Sequence, residues 1–339
     1  MRVRRGLLFA ALAAAVLLAP SARAQQSTLD VELEAPDEVR DVLERHVRLL
    51  RADAAVLPEA AADRSALARR ARREIAQLLA TEGYFSPRIR IDRSAPGRWV
   101  LQVEPGSRTI VDTVSVVFEG ALTSADEEGG LAYLELLRAR WALPAGKPFR
   151  QGDWDAAKQN LLDAIAAQRY AAARIVASRA EIDPEKASAS LSITIDSGPA
   201  FYLGELQVSG LQELPADLVE RYSELKVGEP YDREKLLAFQ TGLQNTPHFA
   251  SVIVDIDRDP ARAAAVPVQV QVSEALPKHA GFGVGVSTNT GFRVEASYRD
   301  VNLRQRGWEL TTGLRLEQRR QSIYADVFLP PSGRHRDSF

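Results

Sequence analysis

Hydrophobic and polar residues follow two different periods along this chain. Between residues 28 and 275, some segments place apolar residues every three to four positions, as on a helix face, and others place them at every second position, as in a strand. After Pro277 the helical spacing stops and only the alternation continues. The pattern therefore predicts a region of mixed helices and strands followed by a tail made of strands.

Four segments have the apolar spacing of amphipathic helices. The first two precede Gly83, a residue type that favours the left-handed conformation found at helix ends. The third and fourth each follow a turn that contains glycine and proline, and the fourth has the weakest pattern. The predicted core-facing residues are Val39, Val42, Leu43, His46, Val47 and Leu50; Leu67, Ala71, Ile75, Leu78 and Leu79; Trp154, Ala157, Leu161, Leu162 and Ile165; and Leu236, Leu237, Gln240 and Leu243.

A short sequence shape occurs three times in this region. Each copy has a helix end, an aromatic residue and a strand-like tract, as in EGYFSPRIRID, QRYAAARIVAS and TPHFASVIVDI. The aromatic residues are Tyr84, Tyr170 and Phe249, and packing in a core is the ordinary role of an aromatic residue at such a place. The recurrence therefore predicts a repeated architecture and no ligand site.

Two of the three units share a longer turn of the form L-x-x-G-x-P-aromatic. Glycine permits the turn, proline stiffens the entry to the next element, and the aromatic residue can pack on the helix that follows. We expect Asp153 and Asp232 to open those helices. The turn residues are Gly146, Pro148 and Phe149 in one unit and Gly228, Pro230 and Tyr231 in the other.

Each of these two units also opens with a strand that ends on a glycine and closes with two strands. The order is β-α-α-β-β, and the first unit fits it more loosely because it lacks the G-x-P turn. This order and this turn resemble the POTRA (polypeptide-transport-associated) family over residues 28–275. The resemblance implies an α+β fold of tandem POTRA domains in three copies, with the helices on one face of each sheet.

The tail has the alternation of membrane-crossing strands. Tracts of roughly nine to eleven residues alternate apolar with small or polar residues, which is the length and period of transmembrane β-strands. A soluble β-meander would give a similar pattern. The first tract is GFGVGV, whose residues Gly281, Phe282, Gly283, Val284, Gly285 and Val286 form a strand with one face of glycines. It does not fit a nucleotide-binding glycine motif, because a strand follows where a helix is required.

POTRA repeats followed at once by such strands resemble the outer-membrane assembly superfamily that includes BamA. The resemblance implies an antiparallel transmembrane β-barrel. The strands that this sequence predicts are too few to close a barrel, so we expect the chain to be a fragment. Three copies resemble the TamA family of translocation and assembly module subunits. That resemblance implies a TamB-like periplasmic partner, contact with outer-membrane lipid, and a lateral gate at the strand Gly281–Val286. It implies either unfolded outer-membrane and autotransporter clients or lipid traffic between the membranes.

The first residues predict export from the cytoplasm. MRVRR is basic, an apolar run follows, and small residues at Ala22 and Ala24 favour cleavage before Gln25. The predicted segments are a signal peptide at 1–24, POTRA domains at 25–105, 106–199 and 200–276, and the start of an outer-membrane β-barrel at 277–339.

Composition excludes several kinds of site. The chain contains no cysteine, so it has neither disulfides nor thiolate ligands, and its net charge of −2 gives no basic footprint for nucleic acid. The histidines His46, His248, His279 and His335 show no metal-ligand spacing, and no nucleophile motif is present. We therefore expect no enzyme, no cofactor and no metal site.

The functional surfaces that remain are backbone edges. An exposed sheet edge offers unpaired N–H and C=O groups to an incoming strand and needs little side-chain specificity. We expect the repeats to dock a partner and clients by strand addition in the periplasm, with the tail in the outer membrane. The alternatives are a two-partner secretion transporter, which would require that residues 28–105 not form a POTRA copy, and a soluble periplasmic scaffold.

Overall fold

The computed structural model describes residues 29–51, 60–95, 97–124, 130–288 and 291–331. The predicted signal peptide at 1–24 lies outside the described residues. The chain divides into two compact units, one made of Met1–Ala80 and Tyr84–Gly106 and the other of Thr81–Gly83 and Ser107–Phe339.

The first unit contains a three-stranded mixed sheet in the order β1-β3-β2. Strand β1 runs parallel to β3, and β2 pairs with β3 in the antiparallel sense. Helices α1 and α2 supply the buried residues Val39, Leu43, Ile75 and Leu79, which pack with the central strand β3. Its elements are β1 (Asp30–Glu34), α1 (Asp37–His46), a 3-10 turn (Arg48–Leu50), α2 (Ala61–Thr81), β2 (Arg88–Asp92) and β3 (Arg98–Glu104).

The second unit begins with the same arrangement. Its first sheet has the order β4-β6-β5, with β4 parallel and β5 antiparallel to the central strand β6. The elements are β4 (Ile110–Glu119), α3 (Gly130–Ala139), α4 (Gln151–Ala166), β5 (Arg174–Asp183) and β6 (Ser188–Asp196).

The arrangement occurs a third time directly afterwards. The sheet order is β7-β9-β8, again with a parallel and an antiparallel neighbour on the central strand β9. The elements are β7 (Leu203–Ser209), the one-turn helix α5 (Leu218–Arg221), α6 (Arg233–Gln244), β8 (Phe249–Ile256) and β9 (Val266–Glu274).

The central strands bury one face against the helices, as their alternation predicts. In β6 and β9 every second residue is buried, and each buried Val, Leu or Ile side chain contributes about 1.5–3 kcal/mol of transfer free energy. The aromatic residues Tyr84, Tyr170 and Phe249 are also buried, which confirms their predicted packing role.

Three side-chain expectations are wrong. His46 is exposed at the end of α1 and does not pack in the core. Leu237 is half exposed, and Phe239, which the helical spacing did not select, is buried in its place. Asp153 lies in the first turn of α4 rather than at its N-cap, because α4 begins at Gln151.

The helices α4 and α6 both begin two residues after the aromatic residue of the turn. The N-cap is therefore Arg150 in α4 and Asp232 in α6.

The tail forms a four-stranded antiparallel meander in the order β10-β11-β12-β13. Among the described residues, β10 and β13 are the two edges of this sheet. Its strands are β10 (Lys278–Ser287), β11 (Gly291–Leu303), β12 (Trp308–Glu317) and β13 (Gln321–Phe328).

In the part of the chain that the structure describes, every helix is too short or too polar to cross a membrane.

Candidate functional surfaces

The G-x-P-aromatic turn pairs with the first strand of its own repeat. Gly146, at φ +87°, donates its N–H to the carbonyl of Val111 at 2.8 Å, and Val111 donates back to Lys147 at 2.8 Å. Phe149 then donates to the carbonyl of Thr109 at 2.8 Å. The turn thus occupies the outer edge of β4 at its beginning.

The third repeat contains the same bonds. Gly228, at φ +83°, donates to Leu203 at 2.7 Å, Leu203 donates to Glu229 at 2.8 Å, and Tyr231 donates to Phe201 at 2.9 Å. Pro148 and Pro230 lie within these bridges, where a residue without an N–H leaves no donor unpaired. The motif has a structural role, and it does not cover the opposite edge of each sheet, which is β5 in the second repeat and β8 in the third.

One face of the tail sheet is apolar across all four strands. Cross-strand register aligns Phe282 with Ala296, Leu314 and Ile323 in one row. Phe282 is 88% exposed and Ile323 is 81% exposed, although both are large apolar residues. The other large exposed members of this face are Val284, Val286, Phe292, Val294, Tyr298, Leu316 and Val327. An apolar face of this extent marks a surface that faces something other than water.

The opposite face is mainly polar and lined in part by glycine, and it also carries the exposed rings of Tyr324 and Phe328. Arg315 is paired with Glu295 at 3.0 Å, and Arg299 is paired with Glu309 at 3.1 Å. Gly313 lies beneath the ring of Tyr324, its cross-strand partner, and a Cβ at this glycine would come within 2.4 Å of the ring. The two faces therefore have the different chemistry that the alternation predicts.

Strand β10 divides its six predicted residues between these faces. Phe282, Val284 and Val286 are on the apolar face, and Gly281, Gly283 and Gly285 are on the polar one. The strand bonds only to β11 within the described sheet, so its outer edge carries unpaired backbone groups. The glycines leave that edge without side-chain bulk on the polar side.

A buried junction, which no sequence pattern predicts, joins the end of β11 to the third repeat. The Asn302 side chain donates to the carbonyl of Glu213 at 3.1 Å and accepts from the N–H of Gly307 at 3.0 Å. Val301 is 2% exposed and donates its N–H to Pro277 at 2.8 Å. The described tail sheet is thus fixed to the third repeat at one end of β11.

His248 lies in the same junction. It is buried, its ring hydrogen-bonds to the main chain of Val301, and its Nδ1 has no partner among the described residues. Burial lowers the pKa of His248, an effect that the Val301 bond and the nearby Glu309 carboxylate only partly oppose. The ring is therefore neutral near pH 7. Among the described residues, no group of three or more His, Asp or Glu is placed to hold a metal ion.

The end of β9 carries a second polar feature. The Glu274 carboxylate accepts hydrogen bonds from the consecutive N–H groups of Gln212, Glu213 and Leu214, at 2.6, 3.1 and 3.0 Å. Burial raises the pKa of Glu274, but the three bonds outweigh it, so the pKa lies below its usual value. This carboxylate holds the loop that leads from β7 towards α5.

Residues 201–275 match the family model of POTRA, described as surface antigen variable number repeat. This segment contains the third repeat, from β7 to β9. The third repeat is a POTRA domain.

Solved structures with a similar fold include a BamA protein. BamA from Haemophilus ducreyi lacking POTRA domains 1–3 has a TM-score of 0.53 and 13% identity, over 64% of this chain and 39% of that one. The chain therefore spans well under half of that BamA chain. The likeness shows that the two share a fold.

Two further structures match with lower scores. BamA POTRA3–5 from Haemophilus influenzae is 16% identical over 73% of this chain and 96% of that chain, with a TM-score of 0.43. CdiB from Acinetobacter baumannii is 14% identical over 81% and 52%, with a TM-score of 0.39.

Proposed function

We propose that this chain is the repeat-bearing part of an outer-membrane assembly factor of the Omp85 superfamily. One observation carries the proposal: a POTRA domain at residues 201–275 is followed directly by an antiparallel sheet with one apolar, exposed face. In this proposal the repeats lie in the periplasm and the sheet is part of the wall of an outer-membrane β-barrel.

The first two repeats are POTRA copies in this proposal. Their sheets have the strand order and the parallel and antiparallel pairing of the third, and the second repeat shares its turn bonds. Three copies are the number found in the TamA family, which favours that branch of the superfamily. The partner is then a TamB-like periplasmic protein.

The tail sheet meets lipid through its apolar face. Transfer of exposed side chains such as Phe282, Val284 and Ile323 from water to hydrocarbon releases about 25 cal/mol for each Å² of apolar surface. The polar face with its ion pairs is then the inner face of the barrel. This assignment explains why residues of such different polarity alternate along every strand.

Clients dock by strand addition. The repeats present sheet edges, and the first strand of the tail, β10, presents an edge that a client strand can pair with before it enters the membrane. Backbone pairing selects for extended conformation rather than for sequence, which suits a factor that serves several clients. The clients are unfolded outer-membrane proteins of the autotransporter type.

Depletion of the protein in its host cell tests the proposal. We expect several autotransporters to disappear together from the cell surface, measured by protease shaving of intact cells and mass spectrometry. Loss of one secreted substrate alone would indicate a dedicated two-partner transporter. Unchanged surface proteins with increased permeability to large antibiotics would indicate lipid traffic, and either result would overturn the assembly role.

A further inference from the structure

The outer edges of β5 and β8 are equivalent strands with different surroundings. Each contains a β-bulge near its start, at Val176 in β5 and at Ala250 in β8. In both strands, the residues two and four positions beyond the bulge occupy equivalent places, so their backbone N–H and C=O groups have the same orientation. They are Ser178 and Ala180 in β5, and Val252 and Val254 in β8.

In the third repeat, two glutamines of α6 close this edge. The Gln240 side chain accepts a hydrogen bond from the N–H of Val254 at 2.9 Å, and the Gln244 side chain donates to the carbonyl of Val252 at 3.0 Å. The two glutamines are four residues apart and so lie on the same helix face. They occupy the donor and the acceptor that an added strand would use.

The second repeat has no such pair. Helices α4 and α6 align by their buried residues, with Trp154, Ala157 and Leu161 matching Leu236, Phe239 and Leu243. In this alignment Lys158 stands for Gln240, and Leu162 stands for Gln244. Leucine has no hydrogen-bonding group, and the Lys158 amine is paired with Asp155 at 2.9 Å and lies 5.0 Å from the centre of the Trp154 ring.

The edge of β5 is therefore open. Within the part of the chain that the structure describes, no side chain bonds to the main chain of Ser178 or Ala180. Helix α6 lies alongside β8, whereas α4 makes no comparable approach to β5.

We propose that the second repeat is a strand-docking site and that β5 (Arg174–Asp183) is the edge to which the added strand binds. Gln240 and Gln244 prevent the equivalent edge of the third repeat, on β8, from binding the same strand. The occupant is an extended segment of another polypeptide with apolar residues at alternate positions. The small side chains of Ser178 and Ala180 leave room for larger apolar residues of the segment.

Strand length favours β5 over the corresponding edge of the first repeat. Strand β2 has five residues and β5 has ten. Because an edge bonds through every second residue, β5 offers about twice as many hydrogen bonds to an added strand. The inference rests on the proposed function, since it specifies where a client or partner docks.

The absence of cysteine allows a direct test by thiol trapping on the full chain in detergent. Ala177→Cys and Ser251→Cys are matched variants, because both positions follow the bulge by one residue and both are exposed. The probe is a peptide with the sequence of β12 in which a cysteine replaces Thr311. This cysteine is activated as a mixed disulfide with thionitrobenzoate, which leaves when the thiol of the protein attacks. A scrambled peptide with the same cysteine reports random collision.

We expect Ala177→Cys to form the mixed disulfide at least about tenfold faster than Ser251→Cys, a ratio that corresponds to about 1.4 kcal/mol. Adding Gln240→Ala and Gln244→Ala to Ser251→Cys should raise its rate towards that of the β5 variant. Adding Ala180→Pro to Ala177→Cys should lower the rate, because proline removes an outward N–H and is tolerated at a sheet edge.

Equal rates for the two single variants, or a rate that Ala180→Pro leaves unchanged, would overturn the inference. Circular dichroism and thermal melting establish that each variant is folded before its rate is compared. Surface display of autotransporters in cells is scored separately. Normal dependence of display on this protein, together with no trapping at β5, would reject the docking edge and leave the assembly function in place.

Discussion

At the scale of single residues, several polar side chains of the described residues form hydrogen bonds with backbone groups. The Glu274 carboxylate holds three consecutive N–H groups, Gln240 and Gln244 hold the edge of β8, and Asn302 holds the junction with the tail. Buried or half-buried backbone groups need partners, and a side chain supplies them where the sheet does not.

Replacement of Glu274 by glutamine should loosen the loop that its carboxylate holds. We expect the amides of Gln212, Glu213 and Leu214 to exchange with deuterium roughly tenfold faster in Glu274→Gln at pH 7, since hydrogen bonds to a charged group contribute about 1.5–3 kcal/mol. Hydrogen-exchange mass spectrometry of the peptide that contains them measures the effect.

The pH dependence of this difference follows from the lowered pKa of Glu274. A carboxyl with a lowered folded-state pKa stabilises the fold fully above its unfolded-state pKa, and the contribution is lost as the pH falls through the folded value. The ratio of exchange rates between Glu274→Gln and the parent should therefore approach one in acid. A ratio that persists there would contradict the role of the charge.

His248 makes the junction sensitive to acid. Because burial lowers its pKa, the neutral ring stabilises the folded state above the unfolded-state pKa of His, about 6.5, and this contribution is lost as the pH falls below that value. We expect hydrogen exchange around Val301 and Asn302 to rise between pH 7 and pH 5. His248→Phe should exchange at rates that change less over this range, after correction for intrinsic exchange.

Most of the helix-face residues that the spacing selects are buried, but the spacing does not predict which polar side chains bond to backbone. Gln240 was placed on the core-facing stripe of its helix, where a polar residue made the pattern weak. The structure gives the reason, since Gln240 bonds to the edge of β8. Spacing identifies the face on which a residue lies, but it does not reveal which strand edge that face will meet.

At the scale of elements, the tail strands differ from the strands of the repeats in what covers them. Strands β6 and β9 bury their apolar face under helices, whereas the apolar face of the tail sheet is exposed. The alternation in sequence is the same in both cases. Alternation alone therefore predicts strands and their two faces, and the absence of predicted helices after Pro277 separates the two kinds of sheet.

Adjacent substitutions in β11 test the assignment of the two faces. Ala296 lies on the apolar face between Phe282 and Leu314, and Ser297 lies on the polar face between Gly281 and Gly313. We expect Ala296→Arg to reduce binding to lipid vesicles, because arginine facing hydrocarbon costs roughly 2–4 kcal/mol near the bilayer midplane. Ser297→Arg carries the same charge and should have little effect.

Flotation of the protein with vesicles in a density gradient measures the bound fraction. Equal loss of binding in both variants would indicate that charge itself, rather than the face, controls association. Undiminished binding of both variants, relative to the parent protein, would contradict contact between the apolar face and lipid.

Helix starts were predicted less well than strand faces. The expected equivalence of Asp153 and Asp232 relied on residue type, whereas the structure keeps the distance from the turn constant. Asp232 accepts hydrogen bonds from Glu234 and Lys235, and Arg150 at the equivalent position makes no side-chain cap. The turn bonds to the first strand fix where the chain enters the helix, and capping adds to a start that is already set.

At the scale of the whole molecule, the tail should decide how the protein behaves in water. We expect the full chain to need detergent to remain monodisperse, whereas a chain ending at residue 276 should not, because the exposed apolar face begins after Pro277. Size-exclusion chromatography with and without detergent compares the two. A full chain that stays monomeric in plain buffer would favour the soluble scaffold.

The junction at Val301 and Asn302 has a mechanical consequence. Strand β11 is held there by the third repeat and is bonded along its length to β10 and β12. Tension on that repeat would enter the meander along a strand axis, where many ladder bonds share the load at once. A client that pulls on the second repeat would then be opposed by a shear-resistant anchor, rather than by bonds that open one after another.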